Sequence, residues 1–287
     1  MKAIYKKEVK SYLTSMIGYV FIFFILLLEG IYFTAYNLQN AYPLFGTTLS
    51  AITFIFLILV PVLTMKSIAE ERKQKTDQLL LTAPVSVSEI VLGKFLAVAT
   101  VYAIPVVIIC LYPLIMGKYG TVSYGMAYTA VLGFALLGFA QIAVGVFWSS
   151  VTENPVIAAV VTFIVLFVCY MITGIGSLIP DSSMASLACY MLLVLLAAVW
   201  IYHMIRNLWI AAVIGIAGEA ALAITYIVKS SIFEGGIQKI LEVFNLSAHY
   251  ENFTNNILDI TGIVYFISVI VICIFLTVQS IVKRRWN

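Results

Sequence analysis

The chain is written in long apolar runs separated by short polar breaks. Runs long enough to cross about 30 Å of hydrocarbon as helices fall at residues 16–37, 46–65, 91–116, 126–148, 155–179, 184–203, 208–228 and 260–282. They predict eight spans. The sixth and seventh are joined by the short polar turn His203-Met204-Ile205-Arg206-Asn207 and could instead form a re-entrant pair, so a six-span reading stays open.

Three stretches follow a different pattern. In residues 2–14 and just beyond, Tyr5, Val9, Tyr12, Leu13 and Met16 recur at helical spacing, with Lys2, Lys6, Lys7 and Lys10 mostly on other faces. That predicts a helix lying in the headgroup plane, either an anchor to anionic lipid or a platform for a partner. In residues 229–259, Ile237, Ile240, Leu241, Phe244 and Leu246 alternate with Gln238, Lys239, Glu242 and Asn245, which predicts an amphipathic helix on the outer surface before the last span. The third stretch, Lys66 to Lys94, holds most of the polar chemistry.

That third stretch divides into pieces. Glu70, Glu71, Arg72, Lys73 and Lys75 extend the second span into water, and Thr76-Asp77-Gln78-Leu79-Leu80-Leu81 offers a short leucine-faced helical turn. Ala83-Pro84 ends the turn, because the residue before proline is pushed out of the helical region. Ser86 and Glu89 then stand at capping-box spacing, so the third span starts near Ser86. The expected product is a small apolar-faced elbow held at the membrane surface by two long helices; an ordinary interfacial loop is the alternative.

Composition fits this picture. Hydrophobic residues make up 63%, charged residues 10%, and the mean hydropathy is +1.09, which excludes a water-soluble domain of ordinary charge content. Of the 16 lysines and arginines, eight spans with a cytoplasmic N-terminus put 13 inside and 3 outside, so both termini are expected in the cytoplasm. The apolar stretch after Lys10 is longer than a signal-peptide core and is read as a retained first span. Cys110, Cys169, Cys189 and Cys273 lie scattered in apolar runs, and His203 and His249 stand apart, so no disulfide frame or metal site is expected.

Three polar residues fall inside spans. Glu29, Gln141 and Glu219 sit where a charge costs roughly 2.5–3.5 kcal/mol to insert. Glu29 and Glu219 could face a substrate path or a dimer seam, or could lie near the outer interface or be protonated and bonded to a neighbour such as Tyr32 or Tyr226. Pro61, Pro105 and Pro113 predict kinks, and Gly133, Gly138, Ala140 and Gly145 predict close helix contact along the fourth span.

The wording of several segments resembles a known family. Met65-Lys66-Ser67-Ile68-Ala69-Glu70-Glu71-Arg72, Thr76-Asp77-Gln78-Leu79-Leu80-Leu81-Thr82-Ala83-Pro84-Val85 and Glu89-Ile90-Val91-Leu92-Gly93-Lys94 resemble the signature stretch of type 2 ABC transporter permeases. The nearest likeness is to the branch with gliding-motility and copper-processing permeases. Tyr5 to Tyr12, Gly18-Tyr19-Val20, Ser149 to Asn154, His249 to Phe253, Tyr265-Phe266 and Arg285-Trp286 extend the resemblance over nearly the whole chain. The chain departs from that branch at Lys75-Thr76, where Gly-Thr is usual, and over residues 184–228.

The resemblance implies an all-α polytopic bundle of six to eight spans forming one permease domain over residues 1–287, multi-pass in the cytoplasmic membrane. It implies ATPase coupling through Glu70, Glu71, Arg72, Thr76, Leu79, Leu80, Leu81 and Pro84, flanked by an interfacial helix carrying Tyr5, Lys6, Lys7, Val9, Lys10 and Tyr12. Expected partners are a cytoplasmic ABC ATPase dimer that binds ATP and Mg, a second permease chain, identical or not, and membrane lipid; nucleic acid is not expected. The residues agree on one point: no G-x-x-x-x-G-K-[ST] run is present, so ATP must bind elsewhere. Two other classes compete. An ion-coupled secondary transporter would use Glu29 or Glu219 and show an internal repeat, and an intramembrane enzyme would need paired catalytic groups such as HExxH or GxSxG, which this sequence lacks.

Overall fold

In the computed structural model, which describes residues 1–77, 85–178, 180–205, 208–255, 257 and 259–285, every regular element among the described residues is helical. The chain divides into two compact units: residues 1–168 with 246–287, and residues 169–245.

The first unit opens with α1 (Lys2–Thr14), ended by an extended Ser15, and α2 (Met16–Tyr32), which runs on as a π-helical stretch, Phe33–Gln39. Only glycine fits at residue 18, since a Cβ there would lie 2.3 Å from the Tyr12 carbonyl oxygen. After α2, Asn37 closes the turn by donating to the Tyr42 carbonyl (2.8 Å) and accepting from the Thr48 hydroxyl (2.6 Å).

The second apolar run is not one straight helix as its length suggests. It is a bent pair, α3 (Phe45–Thr53) and α4 (Phe56–Thr64), meeting at 60°. Tight bonds from Ile55 N to the Ile52 carbonyl (2.9 Å) and from Leu57 N to the Phe54 carbonyl (3.1 Å) wind the backbone up at the corner. The corner precedes Pro61 by more than a turn, so the kink expected at the proline lies upstream of it. Beyond α5 (Ala69–Lys73), α6 (Val87–Ile109) begins where its cap predicts, with Glu89 N donating to the Ser86 hydroxyl at 3.3 Å. It continues through Pro105 and is interrupted at Cys110–Leu111, just before Pro113 enters α7 (Tyr112–Tyr119).

At the centre is α8 (Tyr124–Val151), about 42 Å long at 1.5 Å per residue. Small residues let its neighbours close in, as the sequence predicts: Gly133 meets Phe253, Gly138 the Tyr102 ring and Gly145 Thr64. Phe56 and Tyr102 pack on Phe134 of this helix as a buried aromatic core, and the Tyr102 hydroxyl donates to the Phe134 carbonyl at 2.7 Å. After α9 (Pro155–Leu178) and the second unit, the chain returns with α13 (Leu246–Thr254) and α14 (Ile260–Arg285).

The second unit is built on α10 (Ser183–Ile205) and α11 (Leu208–Val228), an antiparallel pair followed by a 3₁₀ turn, Ser230–Phe233, and α12 (Gly236–Val243). Phe233 wedges between Tyr190 and Tyr226, with ring centroids 5.7 Å from each. The helix expected through 237–246 is therefore two helices: the run breaks at Phe244 and Asn245, and asparagine suits the start of α13. Nor does α13 lie on a surface, since Leu246, Tyr250 and Phe253 are buried in the first unit.

Five helices among the described residues are long and apolar enough to span a membrane, six with the bent pair counted once. In α10 and α11 the described apolar stretches are shorter, Ser183–Leu196 and Gly215–Val228, and the turn at 206–207 lies outside the described residues.

Candidate functional site

At one end of the first unit, α1, α5 and the start of α6 meet around Lys94. Lys94 lies about two turns inside α6 and is 2% exposed. Its Nζ stands 3.0 Å from Glu8 Oε1 and 2.9 Å from Glu71 Oε2, and donates to the Ser67 carbonyl at 2.8 Å. All three ammonium protons have acceptors, which is what makes a buried lysine tolerable. Lys7 reaches Glu71 Oε1 at 3.5 Å from the solvent side. Two cations and two carboxylates thus bind three segments together.

Tyr12 lies beside this knot, and burial, then the Glu8 and Glu71 carboxylates, push its phenol above the ordinary value. Further along, the Tyr5 hydroxyl bonds Thr100 Oγ1 at 3.0 Å, and Ile4 lies against the backbone of Gly93. The inward stripe of α1 is therefore the half-buried Tyr5 and the buried Glu8 and Tyr12, at helical spacing, whereas Met16, expected on that face, is 81% exposed. Lys6 and Lys10 point to solvent and Val9 is half-buried.

The segment after α4 is held from behind. Ile68 N and Ala69 N both donate to Ser149 Oγ at 3.1 Å, and that hydroxyl donates to the Met65 carbonyl at 3.1 Å. Isoleucine at the N-cap of α5 has no side-chain acceptor, so a serine from α8 satisfies the orphan amides. At the other end, Thr76 N bonds the Glu71 carbonyl (2.9 Å) and Lys75 N the Arg72 carbonyl (3.0 Å), with Lys75 at φ +57°. This is a Schellman closure, whose left-handed position favours glycine. The departure noted at Lys75 falls on that residue.

Arg72 is 7% exposed. Burial and the neighbouring Arg284 pull its guanidinium down from the ordinary value, while Asp77 and Glu153 act the other way. Arg284 itself is paired with Glu153. A cleft of about 690 Å³ opens between α1 and α5, lined by Lys7, Ser11, Ser15, Lys66, Glu70 and Gln74 among others.

Of the expected coupling residues, Glu70, Glu71, Arg72 and Thr76 share this end, while Leu79, Leu80, Leu81 and Pro84 lie outside the described residues. Glu8, Lys94 and Ser149 were not singled out; the Glu8 signal was its place in the stripe with Tyr5 and Tyr12. The intramembrane polar groups lie elsewhere. Glu29 is fully buried, and neither carboxyl oxygen has a hydrogen-bond partner among the described residues. Tyr32, one of the neighbours that could have bonded it, stacks on Tyr36. Gln141 and Glu219 each carry one buried oxygen without a partner there.

Residues 29–282 match a family profile described as ABC-2 family transporter protein. No curated protein matches the sequence.

Proposed function

The chain belongs to the ABC-2 family of transporter proteins, and from that membership we propose that it is the permease of an ATP-driven exporter whose nucleotide is hydrolysed by a separate subunit. The observation that carries this reading is the knot at Lys94, which ties the segment after α4 to both α1 and α6. A push on residues 66–77 cannot be absorbed there as local bending: moving Glu71 without Lys94 would strip a buried charge of its partner. The displacement passes instead into two long elements as a rigid-body tilt.

In this reading the Lys94 end faces the cytoplasm, in keeping with the lysine and arginine asymmetry, and the protein resides in the cytoplasmic membrane with both termini inside. The ATPase subunits grip Glu70, Thr76 and the sequence Leu79-Leu80-Leu81 that follows, with α1 alongside, and the less exposed Glu71 and Arg72 carry the load inward. ATP and Mg are bound by that partner. Two permease chains, identical or different, enclose the substrate path.

The test is to co-purify the tagged chain with its ATPase and compare hydrolysis with and without the permease. Glu70 is half-exposed, its carboxylate bonds only Gln74 among the described residues, and it lies outside the knot, so Glu70→Lys should insert normally and abolish the stimulation; unchanged stimulation would refute the coupling role of this segment.

A further inference from the structure

We propose that Ser149 is a positioning residue of the export cycle: its hydroxyl fastens the segment after α4 to the central helix α8, so that a displacement of that segment reaches α8 and, through it, α14. The assignment rests on the exporter reading. Ser149 is fully buried, and a serine hydroxyl donates one hydrogen bond and accepts two. All of that capacity is spent on one short stretch. The oxygen accepts from Ile68 N and Ala69 N and donates to the Met65 carbonyl, each at 3.1 Å.

These bonds hold an end of the segment that the Lys94 knot does not reach. The knot grips α5 at Glu71, whereas Ser149 grips Met65, Ile68 and Ala69. A helix of five residues has no stability of its own. Held at Glu71 alone, α5 can pivot about that point; held at both places, it moves as a rigid piece. The seat for it on α8 begins one turn earlier, at Gly145, where a Cβ would stand 2.2 Å from Thr64 Oγ1. Gly145 and Ser149 share a face of α8, so the end of α4 rests on the helix backbone just where the hydroxyl takes up the next residues.

The same end of α8 is joined to the last helix. The Ser150 carbonyl, one of the acceptors left open where a helix stops, accepts from Ser280 Oγ of α14 at 3.2 Å, and Glu153 pairs with Arg284. α14 then packs along α8. Two routes therefore leave the segment: the knot leads to α1 and α6, and the Ser149 hydroxyl leads to α8 and α14. Removing the hydroxyl leaves the first route whole and cuts the second.

The experiment uses the full chain with its ATPase subunit in proteoliposomes, with Cys110, Cys169, Cys189 and Cys273 replaced by alanine. Spin labels go on Lys66→Cys and Gly125→Cys, exposed positions on the segment and at the opposite end of α8. Pulsed electron paramagnetic resonance reads the distance between them, and ATPase stimulation is measured on the same samples. In the parent the distance should be single and the same with and without Mg-ATP, because segment and α8 move together. Ser149→Ala should shift and broaden it when Mg-ATP is added, with stimulation kept at the parent level because the knot is intact. Ser150→Ala removes an equally buried hydroxyl, one that bonds the Phe147 carbonyl of its own helix, and should match the parent. If Ser149→Ala fails to insert, Ser149→Cys, whose thiol is a weaker donor and acceptor, should shift the distance in the same sense by less. An unchanged distance in the Ser149 variant, or a distance in the parent that changes with nucleotide, would overturn the assignment alone. So would a Ser149 variant that loses stimulation together with the fixed distance, the mark of a segment that has merely come apart. A parent that gives no stimulation would overturn the exporter reading and this assignment with it.

Discussion

Lys75 shows how one side chain can stand against its own backbone. It closes α5 at φ +57°, where an L-residue other than glycine is disfavoured by roughly 1–2 kcal/mol. Lys75→Gly should therefore raise the unfolding midpoint in detergent, offset in part by the greater freedom of glycine in the unfolded chain; a lowered midpoint would mean that the lysine side chain makes a stabilising contact. Glu29 poses the opposite case, a polar group with nothing to lose. It is fully buried and its oxygens have no partner among the described residues, so Glu29→Gln should unfold within about 1 kcal/mol of the parent. A larger fall would reveal a bound water, ion or second chain at this carboxyl.

At the scale of elements, the junction into α14 is fastened by Asp259, which accepts from Asn252 Nδ2 and Thr261 N, each at 2.9 Å. The Asn252 bond, ahead of those from Thr261, holds the Asp259 carboxyl below its ordinary value. A depressed acid contributes stability above its unfolded value and loses it as pH falls through the folded one. Thermal unfolding of the parent should thus fall faster on acidification than that of Asp259→Asn, and parallel curves would show that the clip carries no titration. The sequence made the helices legible because spans are long and uniform: α6 begins at its Ser86 cap, and the glycines of α8 lie at close contacts. It misjudged the run at 237–246, because apolar periodicity carries across a break that Asn245 marks only weakly. It also missed the corner at Phe54–Ile55, which no proline or glycine announces. Glu8, Lys94 and Ser149 were hidden for another reason. Glu8 lies 86 residues from Lys94, and Ser149 lies 81 from Ile68, so neither pairing leaves a local pattern.

For the molecule as a whole, the first unit is organised around α8, with the Lys94 knot at one end and the Glu29 carboxyl buried in its interior. Such a bundle can transmit a displacement only if the segment after α4 cannot slide past α1 and α6. The knot supplies that constraint electrostatically rather than by shape, and the two can be separated. Lys94→Met combined with Glu8→Gln and Glu71→Gln removes every charge of the buried pair set at similar volume, a change that often leaves stability intact or improved. The decisive measurement is ATPase stimulation by this triple variant in proteoliposomes with its co-purified nucleotide-binding partner. A folded, assembled complex whose hydrolysis no longer responds to the permease is the expected result. Full stimulation in that complex would contradict the account, because force would then enter the bundle without the knot.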